Sequence, residues 1–191
     1  MAIKFWTKLG DPSVVAGGHG KYLINQKFRR PDGIEEDRFL FKGEKKSVVI
    51  FPVTSAGDLI TIREYRHAIN EIIYALPAGN IEPNETKESA VKRELLEETG
   101  FRADKIVVLR EAGLWYDTGV FVATYYPCLA LGCCPTGKQA LDENESIEIN
   151  VMNYKEWHDM ILRGPVQDNQ MIVTTFLAMT NLGLIRKAEN V

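Results

Sequence analysis

The sequence predicts an α/β sandwich rather than a doubly wound parallel sheet, with a small antiparallel β unit ahead of it. Three observations predict this. From Ser47 onward, short β-branched and apolar segments are separated by turn residues. One sharply bounded amphipathic helix interrupts them midway, and two more follow the last strand. The first 45 residues show turn clusters and strand patterning but no helical period.

Taken in order, residues 1–45 contain the turn cluster Ala16-Gly17-Gly18-His19-Gly20 and a strand from Lys21 to Phe28. The turn Pro31-Asp32-Gly33 and a second strand, Arg38 to Lys42, follow. A unit this short cannot bury a core of its own, so it is expected to pack on the main domain, 46–191, or on a second copy of the chain. In the main domain, strands are predicted over Ser47–Val53, Leu59–Glu64, Ile72–Leu76, Ile106–Arg110, Phe121–Leu131 and Ile147–Met152. Between the third and fourth lies a helix, Thr86–Thr99, with Ala90, Val91, Leu95 and Leu96 as its apolar stripe. Asn84 is the expected N-cap, and Gly100 stands where a helix-ending glycine belongs. Tyr154–Arg163 and Asn169–Leu182 read as two further helices.

Composition sets the outer limits. Of 191 residues, 45% are hydrophobic and 26% charged, enough for a sizeable core. A net charge of −3 supplies no field to gather a long polyanion, so nucleic acid is excluded as a bulk partner. A small phosphorylated ligand is not, because a few arginines and a metal ion neutralise it. Three cysteines, Cys128, Cys133 and Cys134, do not form a disulfide framework, and they lack the Cys-x-x-Cys pairing of a zinc site. They are expected to be buried thiols in a cytoplasmic protein. No apolar run approaches the roughly 20 residues that span a bilayer, and residues 1–8 do not resemble a signal peptide, so no membrane partner is expected.

The chemistry is concentrated between Gly79 and Phe101. After Gly79 come five residues and Glu85, then seven more and Arg93-Glu94-Leu95-Leu96-Glu97-Glu98-Thr99-Gly100-Phe101. On a helix, positions three and four apart share a face, so Glu94, Glu97 and Glu98 present their carboxylates together. Like charges so placed repel, and a cation among them resolves the conflict. Oxygen-only donors favour Mg²⁺, with Mn²⁺ a possible substitute. Arg93, four residues before Glu97, can orient that carboxylate. The glycine in Leu76-Pro77-Ala78-Gly79 lets backbone approach a ligand closely. Glutamate-rich helices are more often simply wet faces, but here the whole spacing must be explained.

That spacing resembles the Nudix box at every defined position, a match whose chance occurrence is on the order of one in a billion per starting position. The resemblance implies an α/β/α sandwich with a mixed sheet, the box forming a loop, helix and loop over it. It also implies Mg²⁺-dependent hydrolysis of a nucleoside diphosphate derivative, with Glu94 and Glu98 as principal metal ligands and Glu97 as a further one. The backbone carbonyl of Ala78 would join them, and Arg93 and Glu85 would orient them. A general base is also required, and the acidic stretch Asp142-Glu143-Asn144-Glu145 resembles the loop that supplies it; Glu145 is the first candidate and Glu143 the second.

Further likeness covers residues 20–185 and points to the branch acting on ADP-ribose and nucleoside diphosphate sugars. It is carried by Ile62-Arg63-Glu64-Tyr65-Arg66, Leu76-Pro77-Ala78-Gly79 and the amino-terminal unit with Pro31-Asp32-Gly33. The branch implies a homodimer formed through that unit. Arg63 and Arg66 are candidates for phosphate or ribose, though alternating charges also describe the wet face of a strand. Trp115 and Tyr116 are candidates for stacking on a base, or else core residues. The chain departs from the branch at Ala75, where glutamate is common, and in Trp115-Tyr116-Asp117-Thr118-Gly119, where a proline is common. ADP-ribose therefore leads a group of sugar nucleotides, with dinucleoside polyphosphates, coenzymes or a non-catalytic nucleotide-sensing module as alternatives.

Overall fold

A computed structural model describes residues 3–137, 139–141 and 146–185. In chain order the strands are β1 (Thr7–Gly18), β2 (Lys21–Arg29), β3 (Glu35–Gly43), β4 (Ser47–Thr54), β5 (Leu59–Arg66), β6 (Glu71–Ala75) and β7 (Ala78–Asn80). Helix α1 (Lys87–Thr99) is followed by β8 (Phe101–Arg102), β9 (Lys105–Val108), β10 (Leu114–Trp115), β11 (Phe121–Val122), β12 (Thr124–Pro135) and β13 (Ile147–Met152). Helices α2 (Tyr154–Arg163) and α3 (Asn169–Asn181) complete the set.

Two compact units emerge. The first comprises the chain up to Lys46 together with Trp115–Thr124, and the second comprises Ser47–Leu114 and the chain from Tyr125 onward. In the first unit β2 pairs antiparallel with both β1 and β3, and β11 adds in parallel to β3. Strand β1 was not expected. Its pairing with β2 shifts register twice, between Leu9 and Ser13 and between Val14 and Ala16, and nearly all of its side chains are exposed. Both features erase the period-two pattern by which a strand is read from sequence. The single strand expected over 121–131 is two, because β11 belongs to the first unit and β12 largely to the second.

The second unit holds a mixed sheet: β12 runs parallel to β4, while β5 pairs antiparallel with β6 and β13. Alternation along β4 divides its side chains between two buried faces. Val48 and Ile50 pack with Ala90, Val91 and Leu95 of α1, joined by Ile60, Cys128 and Ala130. Val49 and Phe51 turn the other way and are equally buried. Helix α3 packs on β4, and the Met171 thioether receives the Leu76 N–H at 3.3 Å. Trp157 of α2, fully buried, donates its indole N–H to the Thr175 hydroxyl at 2.8 Å. Side chains of this size contribute about 1.5–3 kcal/mol each on burial, so both faces anchor the sheet that carries α1.

Candidate active site

Helix α1 is bounded tightly at both ends. Thr86, rather than Asn84, is its N-cap: the Thr86 hydroxyl accepts the Ser89 N–H and the Ser89 hydroxyl accepts the Thr86 N–H, both at 3.1 Å. Asn84 instead takes a left-handed backbone with φ of 67° in the preceding turn. At the other end Gly100, also left-handed, donates its N–H to the Leu96 carbonyl at 2.8 Å.

Arg93 organises the carboxylates. Its guanidinium donates to Glu85 at 3.1 and 3.0 Å, to Glu94 at 2.8 Å, to Glu97 at 3.0 Å and to the Asn80 carbonyl at 2.7 Å. The sequence suggested only the partner Glu97; the planar fork also reaches Glu85 and Glu94 and so ties helix and preceding loop together. These bonds, that to Glu85 foremost, raise the guanidinium pKa, so its charge is permanent. Glu85 in turn lies below its ordinary pKa, chiefly through its bond from Arg93 and against the effect of burial. It also accepts the Glu82 N–H at 2.9 Å.

Glu94 explains Gly79. A Cβ on that residue would lie 2.0 Å from the Glu94 carboxyl carbon and one oxygen, and 2.3 Å from the other oxygen. The carboxylate therefore occupies space that only glycine leaves open. Glu98 is 5% exposed and accepts the Ala78 N–H at 3.0 Å. Glu97 is the most open of the group, with 40% of its side-chain surface accessible.

A hard divalent cation fits this donor set by charge and chemistry. Three carboxylates, those of Glu85, Glu94 and Glu97, surround one guanidinium, and Glu98 follows Glu97 on the same helix. Among the described residues, however, no three acidic, histidine or cysteine side chains stand in ligating arrangement. The cause is visible: Arg93 draws Glu94 and Glu97 toward itself, and Glu98 is turned to the Ala78 N–H.

The other candidates are placed as follows. Strand β5 pairs without a bulge to β6 and β13, so Arg63 and Arg66, three apart, point to opposite faces of the sheet. Arg66 shares the face of Ile60, which packs under α1, and pairs with Glu64 at 2.9 Å. Arg63 faces away, lies over the Tyr74 ring at 5.3 Å and pairs with Glu148 at 3.0 Å. Trp115 and Tyr116 belong to the first unit; Trp115 is 57% exposed, and the Tyr116 ring lies 6.2 Å from that of Phe121. Glu143 and Glu145 fall outside the described residues. The chain on either side is held, since Ala140 donates its N–H to the Glu97 carbonyl at 2.9 Å and Gln139 bridges the Glu98 and Ile147 carbonyls. Sequence reasoning missed Gln139, for which no local pattern exists.

Of the three cysteines, Cys128 and Cys133 are buried but Cys134 is exposed, against the expectation that all three are internal. It stands near the end of β12, beyond the packed part of that strand.

Comparison with known proteins identifies the family. Residues 43–172 match the family model of the NUDIX domain. An ADP-ribose pyrophosphatase of Bacillus subtilis (strain 168) is 29% identical over 126 residues, 62% of this chain and 63% of that protein. The chain thus matches less than two thirds of that curated relative's length. The crystal structure of an ADP compounds hydrolase superposes with a TM-score of 0.83 over 97% of this chain and all of that one; at 21% identity the likeness is one of fold.

Proposed function

The chain belongs to the NUDIX family, and on that premise we propose that it hydrolyses the diphosphate bond of a nucleoside diphosphate sugar, ADP-ribose first among them, with Mg²⁺ as cofactor. The products are a nucleoside monophosphate and a sugar phosphate. The observation that carries this reading is the Glu94 carboxylate seated against Gly79 in a group of three carboxylates that a single arginine leaves negatively charged. Support for the substrate class comes from the relative that acts on ADP-ribose.

In this mechanism Glu94, Glu97, Glu98 and the Ala78 carbonyl would hold the cation, and Arg93 orients Glu94 and Glu97 through its bonds to them. When bound, Mg²⁺ neutralises the diphosphate and lowers the pKa of a water. Glu145, or else Glu143, would take the proton of the attacking water as its oxygen bonds to phosphorus and the bridging P–O bond breaks, the displaced phosphate leaving as the second product. Arg66, on the α1 face of the sheet, contacts phosphate or ribose. Trp115 and Tyr116 contribute to base binding.

The same reading includes a cytoplasmic homodimer formed through the first unit. Its exposed apolar side chains, among them Val14, Phe39 and Phe41, and the free thiols support it. Among the described residues no helix is long and apolar enough to cross a membrane.

Incubation with ADP-ribose, GDP-mannose, UDP-glucose and dinucleotides plus Mg²⁺, followed by product identification, tests the proposal. Release of a nucleoside monophosphate and sugar phosphate from a sugar nucleotide is expected. Folded protein that turns over none of them with Mg²⁺ or Mn²⁺ would refute it.

A further inference from the structure

Glu97 and Glu98 stand in the last turn of α1, which contains no basic residue. This is an unfavourable place for anions, because the carbonyl oxygens of the last turn lack helical partners and form the negative pole of the helix. Thr136, Gln139 and Ala140 each bond to this end. The Thr136 N–H and hydroxyl donate to the Gly100 carbonyl at 2.9 and 3.2 Å, and the Ala140 N–H donates to the Glu97 carbonyl at 2.9 Å. The Gln139 amide donates to the Glu98 carbonyl at 2.6 Å and to the Ile147 carbonyl, where β13 starts, at 3.3 Å. Its two N–H groups match these two acceptors, so one side chain fastens the last turn of α1 to the sheet. Two of the three carbonyls held in this way belong to Glu97 and Glu98, whose carboxylates are candidate cation ligands.

Resting on the function proposed above, we propose that Gln139 is a positioning residue for divalent-cation binding. It acts by holding the Glu98 peptide, and with it the direction of the Glu97 and Glu98 side chains, against β13. A donor-free residue of similar size removes the bond from Gln139 to the Glu98 carbonyl and lets this turn shift.

The test titrates wild type and Gln139→Leu with Mn²⁺, followed by electron paramagnetic resonance without substrate, after thermal melts establish that both are folded. The variant should bind Mn²⁺ about fivefold more weakly, the scale of one lost hydrogen bond. The Mg²⁺ concentration for half-maximal turnover should rise in parallel, while KM at saturating metal moves by less than about twofold. Thr136→Val, which removes one bond to Gly100 only, should leave Mn²⁺ affinity unchanged. Wild-type affinity in folded Gln139→Leu would overturn the proposal and leave the hydrolase reading standing. A wild type that binds no Mn²⁺ would overturn both. Should Gln139→Leu fail to fold, Gln139→Asn, whose amide is one methylene short, is held to the same outcomes.

Discussion

Replacing Gly79 with alanine adds one methyl group at the centre of the proposed site. That methyl would stand 2.0 Å from the carboxyl carbon of Glu94 and from one of its oxygens, far inside any contact distance. Gly79 is not among the glycines with positive φ, so alanine adopts its backbone without strain. What must move is the end of the Glu94 side chain, by more than an ångström. That end is flexible, and the cost to folding should be about 1 kcal/mol or less. The cost to catalysis is different, since misplacing a catalytic group by an ångström lowers turnover about 100-fold. Steady-state assays on the best sugar nucleotide of the panel, with a thermal melt of each protein, separate the two effects. A folded Gly79→Ala protein within about threefold of wild-type kcat would refute the idea that Glu94 must occupy this position.

Other consequences follow from the same geometry. Arg66→Ala should raise KM about tenfold, the scale of a lost charge-assisted bond, whereas Arg63→Ala on the opposite face should leave it unchanged; equal effects would contradict the assignment of faces. Because Arg93 holds the Glu85 carboxyl below its ordinary value of 4.5, its stabilising contribution is complete above that pH and is lost as pH falls through the lower folded value. Urea melts should accordingly show the stability gap between wild type and Glu85→Gln constant from pH 7 to about 5 and shrinking below about 4.5, and a gap that widens in acid would contradict this. Burial pushes the Cys128 and Cys133 thiols up to about 12, so a thiol reagent at neutral pH should modify Cys134 promptly and the other two only in denaturant. Rapid reaction of all three in native protein would count against the packing of β12.

Much of the site was legible because its geometry is local. Glu94, Glu97 and Glu98 lie within five residues, and helical spacing alone puts them on one face. The N-cap was misplaced because several small polar residues precede α1, and here Ser89 closes the capping box where a glutamate or glutamine is the usual signal. Strand β1 was hidden by exposure and by its two shifts of register. The apolar stretch from Phe121 carries no mark of where one unit ends and the next resumes, so β11 and β12 merged. The contact made by Gln139 was beyond reach, since its partner Glu98 is 41 residues away and nothing periodic joins them. Arg63 and Arg66 differ: their three-residue spacing on a strand already places them on opposite faces.

The proposed chemistry requires the charge of Glu98. The residue is 5% exposed and its carboxylate accepts the Ala78 N–H, a role that a glutamine carbonyl can keep. Turnover of the preferred sugar nucleotide by Glu98→Gln, measured across Mg²⁺ concentrations, should fall at least about 100-fold while the melting temperature stays near wild type. A folded Glu98→Gln enzyme with wild-type turnover and metal dependence would contradict the assignment of these carboxylates to a cation.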